Sequence, residues 1–220
     1  MNAIRTARAR AREELIDKIK MSARGQLALQ GAASLSLRAV ARELGMTSSA
    51  VYRYFPSRDD LLTALIVDGF DALGECAEDA AADAPSHSTP AARWQVVWEA
   101  VRAWAVANPH EYALLYGSPV PDYAAPENTV GPAARVGLVL IALAGEALSQ
   151  GTLQPVQRTV PVVESAAGGL PNWAAARLVE CWTQLFGLIS FELFGHLRGV
   201  VEEPGEFFAQ TVRETGAWLG

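Results

Sequence analysis

Apolar residues in this chain recur at steps of three and four, and almost nowhere at the step of two that a half-buried strand requires. That periodicity confines the chain to an all-α fold of about nine helices. Punctuation sets their limits. A long first helix over about 7–30 shows a stripe of Leu15, Ile19, Ala23, Leu27 and Gln30, widened by Ile16 and Leu29, and stops at Gly31. Ser36 is an N-cap for a short helix over 37–44, closed by Gly45 where a left-handed residue is needed. Thr47 is expected to cap a second short helix over 48–54, which Pro56 stops. Ser57 caps a fourth helix running from 58 to about 82, with Asp59 and Asp60 in its first turn. Further helices are expected over about 90–107 (started by Thr89 and Pro90), 109–117, 130–150, 172–199 and 205–219. Segments 83–89, 118–128 and 151–171 read as connections.

The bulk composition argues against several functions. No run of 18 uninterrupted apolar residues is present, which speaks against a membrane span or membrane partner. The basic start, Met1 to Arg12, has no apolar signal core behind it, so a cytoplasmic location is expected. Cys76 and Cys181 lack the spacing of a disulfide or metal set and read as small hydrophobes; no cofactor or metal is expected. His87, His110 and His196 are scattered, and no nucleophile elbow, phosphate loop or dinucleotide fingerprint appears, so the chain does not read as an enzyme.

Charge is unevenly placed. The net charge is −6, yet residues 1–60 hold 11 of the 18 Lys+Arg and only 6 of the 24 Asp+Glu. A basic head on an acidic body puts cations where phosphates could be met.

The head's most informative stretch is SLRAVARELGMTSSAVYRYF, residues 36–55. Leu37, Val40, Ala41, Leu44, Met46, Val51 and Phe55 form one apolar set across two short helices and a glycine turn. Ala41 permits a close crossing, and Val51 and Phe55 turn the second helix inward. Ser48, Ser49, Tyr52, Arg53 and Tyr54 are left facing out or at the rim, and such a helix suits a major groove. Its first amides and Thr47 are placed for phosphate.

With AVARELGMTSSAVYRYFPSRDDLL and the long helix before it, residues of about 8–65 resemble the DNA-binding domain of TetR-type (tetracycline-repressor-like) transcriptional regulators. The resemblance implies a helix-turn-helix domain at 1–57, linked by the helix 58–82, and an effector-binding and dimerisation domain at 58–220. It implies that Thr47, Tyr52 and Tyr54 hold phosphates, that Ser48 and Ser49 approach base edges, and that Arg38 lies near the backbone. Arg58, where the family usually has lysine, would contact phosphate. Arg53 reads as a DNA contact or as a solvated charge. Arg5, Arg8, Arg10 and Arg12 read as a disordered DNA-binding arm or as solubilising charge.

In the body, the helix over 172–199 is apolar nearly all round and must be buried on two sides. One side is assigned to a second copy, with Leu178, Leu185, Gly187, Leu188, Phe191 and Gly195 as the expected homodimer contacts. Glu192 and His196, four apart, read as a pair or as a polar handle. Trp94, Trp98, Tyr112, Tyr116, Trp182 and Phe186 read as core, or as the lining of a cavity for a small apolar or aromatic effector. The resemblance favours the cavity, and a repressor that binds a double-stranded, pseudo-palindromic operator and is released by the effector. The rival reading is an all-helical binding protein without operator-specific DNA binding.

Overall fold

The computed structural model describes residues 2–85, 87–157 and 160–220, and their side chains except those of 2–6, 165 and 166. Arg5 is therefore known only as backbone. Among the described residues the chain is helical throughout, without a strand: α1 (Asn2–Gln30), α2 (Leu37–Glu43), α3 (Ser48–Tyr52), α4 (Arg58–Asp83), α5 (Pro90–Ala107), α6 (Pro109–Tyr116), α7 (Val130–Gln150), α8 (Glu164–Ala167), α9 (Asn172–Leu193) and α10 (Pro204–Gly216). The all-α expectation holds, with the four-residue α8 added inside the stretch expected to be a connection. Two compact units result: Met1–Gly69 with His110–Val130, and Phe70–Pro109 with Gly131–Gly220. The first takes α6 and the irregular segment after it, so it is larger than the head outlined from sequence.

In the first unit, Ile19, Ala23 and Leu27 of α1 are buried with Leu37, Val40, Ala41, Val51, Phe55, Leu61, Leu62 and Leu65. The inner face of α1 differs from the expected stripe. Leu29 and Gln30 are exposed, whereas Ser22 and Gln26 are buried. Both polar groups have partners: Ser22 donates to Glu43 at 2.7 Å, and Gln26 accepts from the Ser36 amide at 3.1 Å. These bonds tie α1 to the two ends of α2. Lys20 and Arg24 pair with Asp68 of α4 at 2.8 and 2.9 Å, and Arg24 also meets Glu111 of α6 at 3.4 Å.

In the second unit, α10 packs against α5 and α9. Trp94, Trp98, Val101, Cys181, Leu185, Ile189 and Val212 are fully buried between them. A Cβ on Gly216 would lie 2.6 Å from the Trp94 ring, so only glycine lets α10 approach α5 this closely. Arg102 of α5 grips Glu192 of α9 with two bonds, the Nε one at 2.8 Å. Glu192 thus pairs across the core and not with His196, which stacks beside Phe191 at 5.1 Å. Arg135 of α7 reaches Glu78 and Asp71 of α4 at 2.8 and 2.9 Å. The hydrogen bond to Glu78 is the main cause that holds its carboxyl below the usual range and raises the guanidinium.

Glu127–Gln150, mainly α7, is long and apolar enough by composition to cross a bilayer. It carries Arg135 and Glu146, which are engaged by α4 and by Arg93 of α5. Cys76 and Cys181 are free thiols; burial, then the charge of Asp79, pushes the Cys76 thiol up.

Candidate nucleic-acid interface

The expected helix-turn-helix forms with its caps largely in place. Ser36 accepts from the Ala39 amide at 3.4 Å, Gly45 sits at φ +64°, and the Met46 amide bonds the Ala41 carbonyl at 2.8 Å. That left-handed glycine reverses the chain between α2 and α3, where a Cβ would be strained. Ser57 accepts from the Asp60 amide at 3.1 Å and opens α4.

Thr47 departs from expectation. Its backbone is extended, as at a cap, but its hydroxyl makes no cap bond and lies 3.1 Å from the Ser49 hydroxyl. The two hydroxyls hold each other at the rim, and one of them is left to accept or donate outward.

Helix α3 is two-faced. Val51 is fully buried and Phe55 nearly so. Arg38, Thr47, Ser49, Tyr52 and Arg53 are exposed, with Ser48 and Tyr54 half-buried beside them. Tyr52, the last residue of α3, is 41% exposed and stands clear of its own core. None of these seven residues belongs to the buried core of the unit.

Arg58 is half-buried and is also held by its own unit. Its guanidinium donates to the carbonyls of Ala32 at 3.0 Å and Ala33 at 3.2 Å, and lies 3.7 Å from Asp59. Those carbonyls belong to a short 3₁₀ turn, Ala32–Ser34, leading into α2. Arg58 clips that turn to the start of α4, one terminal guanidinium nitrogen donating to both neighbouring carbonyls.

One contact was not anticipated. The Arg12 guanidinium lies over the Tyr54 ring, 5.4 Å from its centroid. The arginines from Arg8 onward are exposed residues of α1, which continues back to Asn2, not a disordered arm. Nothing in the local sequence pairs positions 12 and 54.

The residues assigned to an effector cavity divide. Trp94, Trp98, Phe186 and Trp182 form a chain of rings with successive centroids 5.8, 5.2 and 6.1 Å apart. Trp94 and Trp98 have no accessible surface, so as packed they are core and line no water-sized space. Their indole N–H groups are buried without an acceptor among the described residues. Trp182 borders an open apolar groove of about 310 Å³ between α7 and α9, with Gly137, Leu138, Ile141 and Val179. Tyr112 and Tyr116 stack on each other at 5.1 Å in the other unit, away from this set, and burial raises the Tyr116 phenol, with Tyr112 adding to it.

The residues assigned to a dimer face divide likewise. Leu185 is buried in the protomer's own core, while Leu178, nearly buried, lines the groove that Trp182 borders. Gly195 lies beyond the end of α9 with φ +82°, and the His196 amide returns to the Phe191 carbonyl at 2.8 Å. It terminates the helix and allows no helix crossing. Gly187 and Leu188 are half-buried, and Phe191 is exposed. The exposed large apolar residues of α9 and its C-cap are Val179 and Trp182 beside the groove and Phe191 and Phe194 at the helix end, with Phe207 of α10 also exposed.

Comparison with known proteins agrees with this geometry. Residues 21–65 match the family described as bacterial regulatory proteins, tetR family, and residues 94–215 match the tetracyclin repressor-like C-terminal domain. The HTH-type transcriptional regulators Rv1816 of Mycobacterium tuberculosis and Mb1846 of Mycobacterium bovis are each 40% identical over 217 residues, covering 91% of both chains. The crystal structure of SCO4313, described as a regulatory protein, superposes with a TM-score of 0.77 at 30% identity, covering 94% of this chain and 97% of that one. The helix-turn-helix head and the helical C-terminal region, each matched by its own family description, place this chain in the TetR family of transcriptional regulators, which are not enzymes.

Proposed function

We propose that this chain is a cytoplasmic, homodimeric repressor that grips a pseudo-palindromic operator with one head per protomer and is released by a small apolar or aromatic effector. The observation that carries the DNA-binding part is the division of α3. Tyr52 and Arg53 stand in solvent beside the hydroxyls of Thr47 and Ser49, while Val51 and Phe55 anchor the helix. Tyrosine and threonine hydroxyls and the arginine donate to phosphate oxygens, and Ser48 and Ser49 reach base edges. Short hydroxyl groups accept several bases, so direct readout is modest.

Dimerisation is supported by the uncovered face of α9. Phe191 and Phe194, three residues apart at the end of α9, are 53% and 43% exposed, an apolar patch open to solvent. A two-fold partner presenting the same face would cover it.

For the effector, the ring series Trp94–Trp98–Phe186–Trp182 runs from the core to the groove beside α7. A flat apolar molecule entering beside Trp182 would have to shift Phe186 and Trp98. Helix α4, which contributes to both units, is the element through which that shift would alter the heads. A coupling of about 1–3 kcal/mol is ordinary for such a switch.

The test is selection of bound fragments from genomic DNA together with light scattering of the protein alone. Enrichment of an inverted repeat by a particle of two chains is expected. A monomer that enriches no sequence would overturn the proposal.

A further inference from the structure

Helix α1 starts at Asn2, yet Leu15 is its first described side chain to leave the solvent, and residues 7–14 (ARARAREE) are all exposed. Two turns of helix therefore stand clear of the core of their unit. Packing does not explain them. An isolated stretch this short is marginal as a helix in water. Its first turn carries no acid, and arginines at this end oppose the helix dipole. The ion pairs of the described residues in this unit engage Lys20, Arg24 and Arg58 and leave out Arg8, Arg10 and Arg12.

Direction is given by Arg12. Its guanidinium rests over the Tyr54 ring at the end of the recognition segment, so this side of α1 faces the same way as the exposed side of α3. Arg8 is one turn back on the same face, about 6 Å along the axis, while Arg10 lies about 200° round from Arg12. A spacing of about 6 Å is nearly two steps of one DNA strand at about 3.4 Å each. The family match begins only at residue 21, so this row lies ahead of the matched segment.

We propose that Arg8 and Arg12 form an additional DNA-contact row, which binds phosphodiester oxygens flanking each half-site and is aimed by the Arg12–Tyr54 stack. The proposal rests on the reading that the head binds duplex DNA. A bound strand supplies the anions that this end of α1 lacks, and the ring restricts Arg12 before DNA arrives, so less freedom is lost on contact.

The experiment is fluorescence anisotropy of the full-length chain on its genomically selected duplex, between about 50 and 200 mM salt. Wild type, R8Q/R12Q, R12Q and R10Q are compared, with circular dichroism reporting helix content. Each phosphate contact contributes about 0.9 to the slope of log K against log salt and counts twice in a dimer, so R8Q/R12Q lowers the slope by about 3.6 and R12Q by about 1.8. R10Q, with the same loss of charge on the opposite side, leaves the slope unchanged. Trimming the duplex to the base pairs beneath the recognition helices weakens wild type and leaves R8Q/R12Q unaffected. An unchanged slope in R8Q/R12Q refutes the arginine row while leaving operator binding intact. An R10Q effect equal to that of R12Q also refutes it, as a response to net charge. If wild type prefers no duplex at any salt, both the row and the underlying reading fall.

Discussion

Replacing Arg58 separates two roles that a sequence pattern runs together. The guanidinium holds the Ala32 and Ala33 carbonyls at 3.0 and 3.2 Å from a side chain that is 29% exposed. Bonds from a charged donor are worth about 1.5–3 kcal/mol each when sheltered; partial exposure reduces the pair here to about 1–2 kcal/mol. Both bonds leave one terminal nitrogen; the lysine ammonium keeps the charge but has a shorter reach, so R58K should lose about half of that. For a chain of this size about 1 kcal/mol moves Tm by roughly 2–4 °C. R58M should therefore melt about 2–8 °C below wild type and R58K in between, read by calorimetry at fixed protein concentration. Well below Tm, both should bind the selected operator with the wild-type salt slope. The reasoning is refuted if R58K and R58M melt like wild type while R58M lowers the slope by about 1.8, the loss of one phosphate contact per head.

Three further outcomes follow from the geometry. Phe191→Glu puts a charge on an exposed apolar face without disturbing the core, so light scattering should show monomers; an intact dimer would exclude this face as the interface. Trp98→Ala should cost about 3–5 kcal/mol in urea unfolding. Trp98→Phe should cost much less, since it also removes a buried donor without an acceptor; equal costs would contradict that packing. The third concerns pH: the Arg135 hydrogen bond lowers Glu78 below its ordinary 4.5, so its contribution to stability is present above that pH and is lost as the pH falls through the lowered value. Wild type should then lose its advantage over Glu78→Gln in acid, and a constant difference across pH would contradict the assignment.

Where the sequence was legible, chemistry local to a few residues decided the structure. Ser36, Gly45, Ser57 and the Thr89–Pro90 pair each have one economical backbone role, and α2, α4 and α5 begin where these signals put them. Val51 and Phe55 fall inward together because they are four apart and the chain turns on past α3, the Phe55 amide bonding the Val51 carbonyl at 3.1 Å. Illegible features were those set by partners distant in the chain. Glu192 had only His196 within helical reach, but α9 ends at Leu193, and Arg102, 90 residues away, takes the carboxylate. The C-terminal glycine of α9 was hidden within a long apolar run, so the helix read six residues too long. That run is apolar on every side, which leaves its phase undetermined; hence Leu185 was assigned outward although it is core. Arg58 shows the same ambiguity, because a cation four residues past a recognition segment serves a phosphate or a neighbouring carbonyl equally well on paper.

The most direct measurement is operator affinity of Tyr52→Ala/Arg53→Ala, a change confined to exposed side chains of α3 and its end. With Tm and dimer mass unchanged, the account predicts a loss of about 100-fold and, from the Arg53 charge alone, a salt slope smaller by about 1.8 across the two heads. Wild-type affinity and slope in that variant would show that DNA is held elsewhere on the molecule.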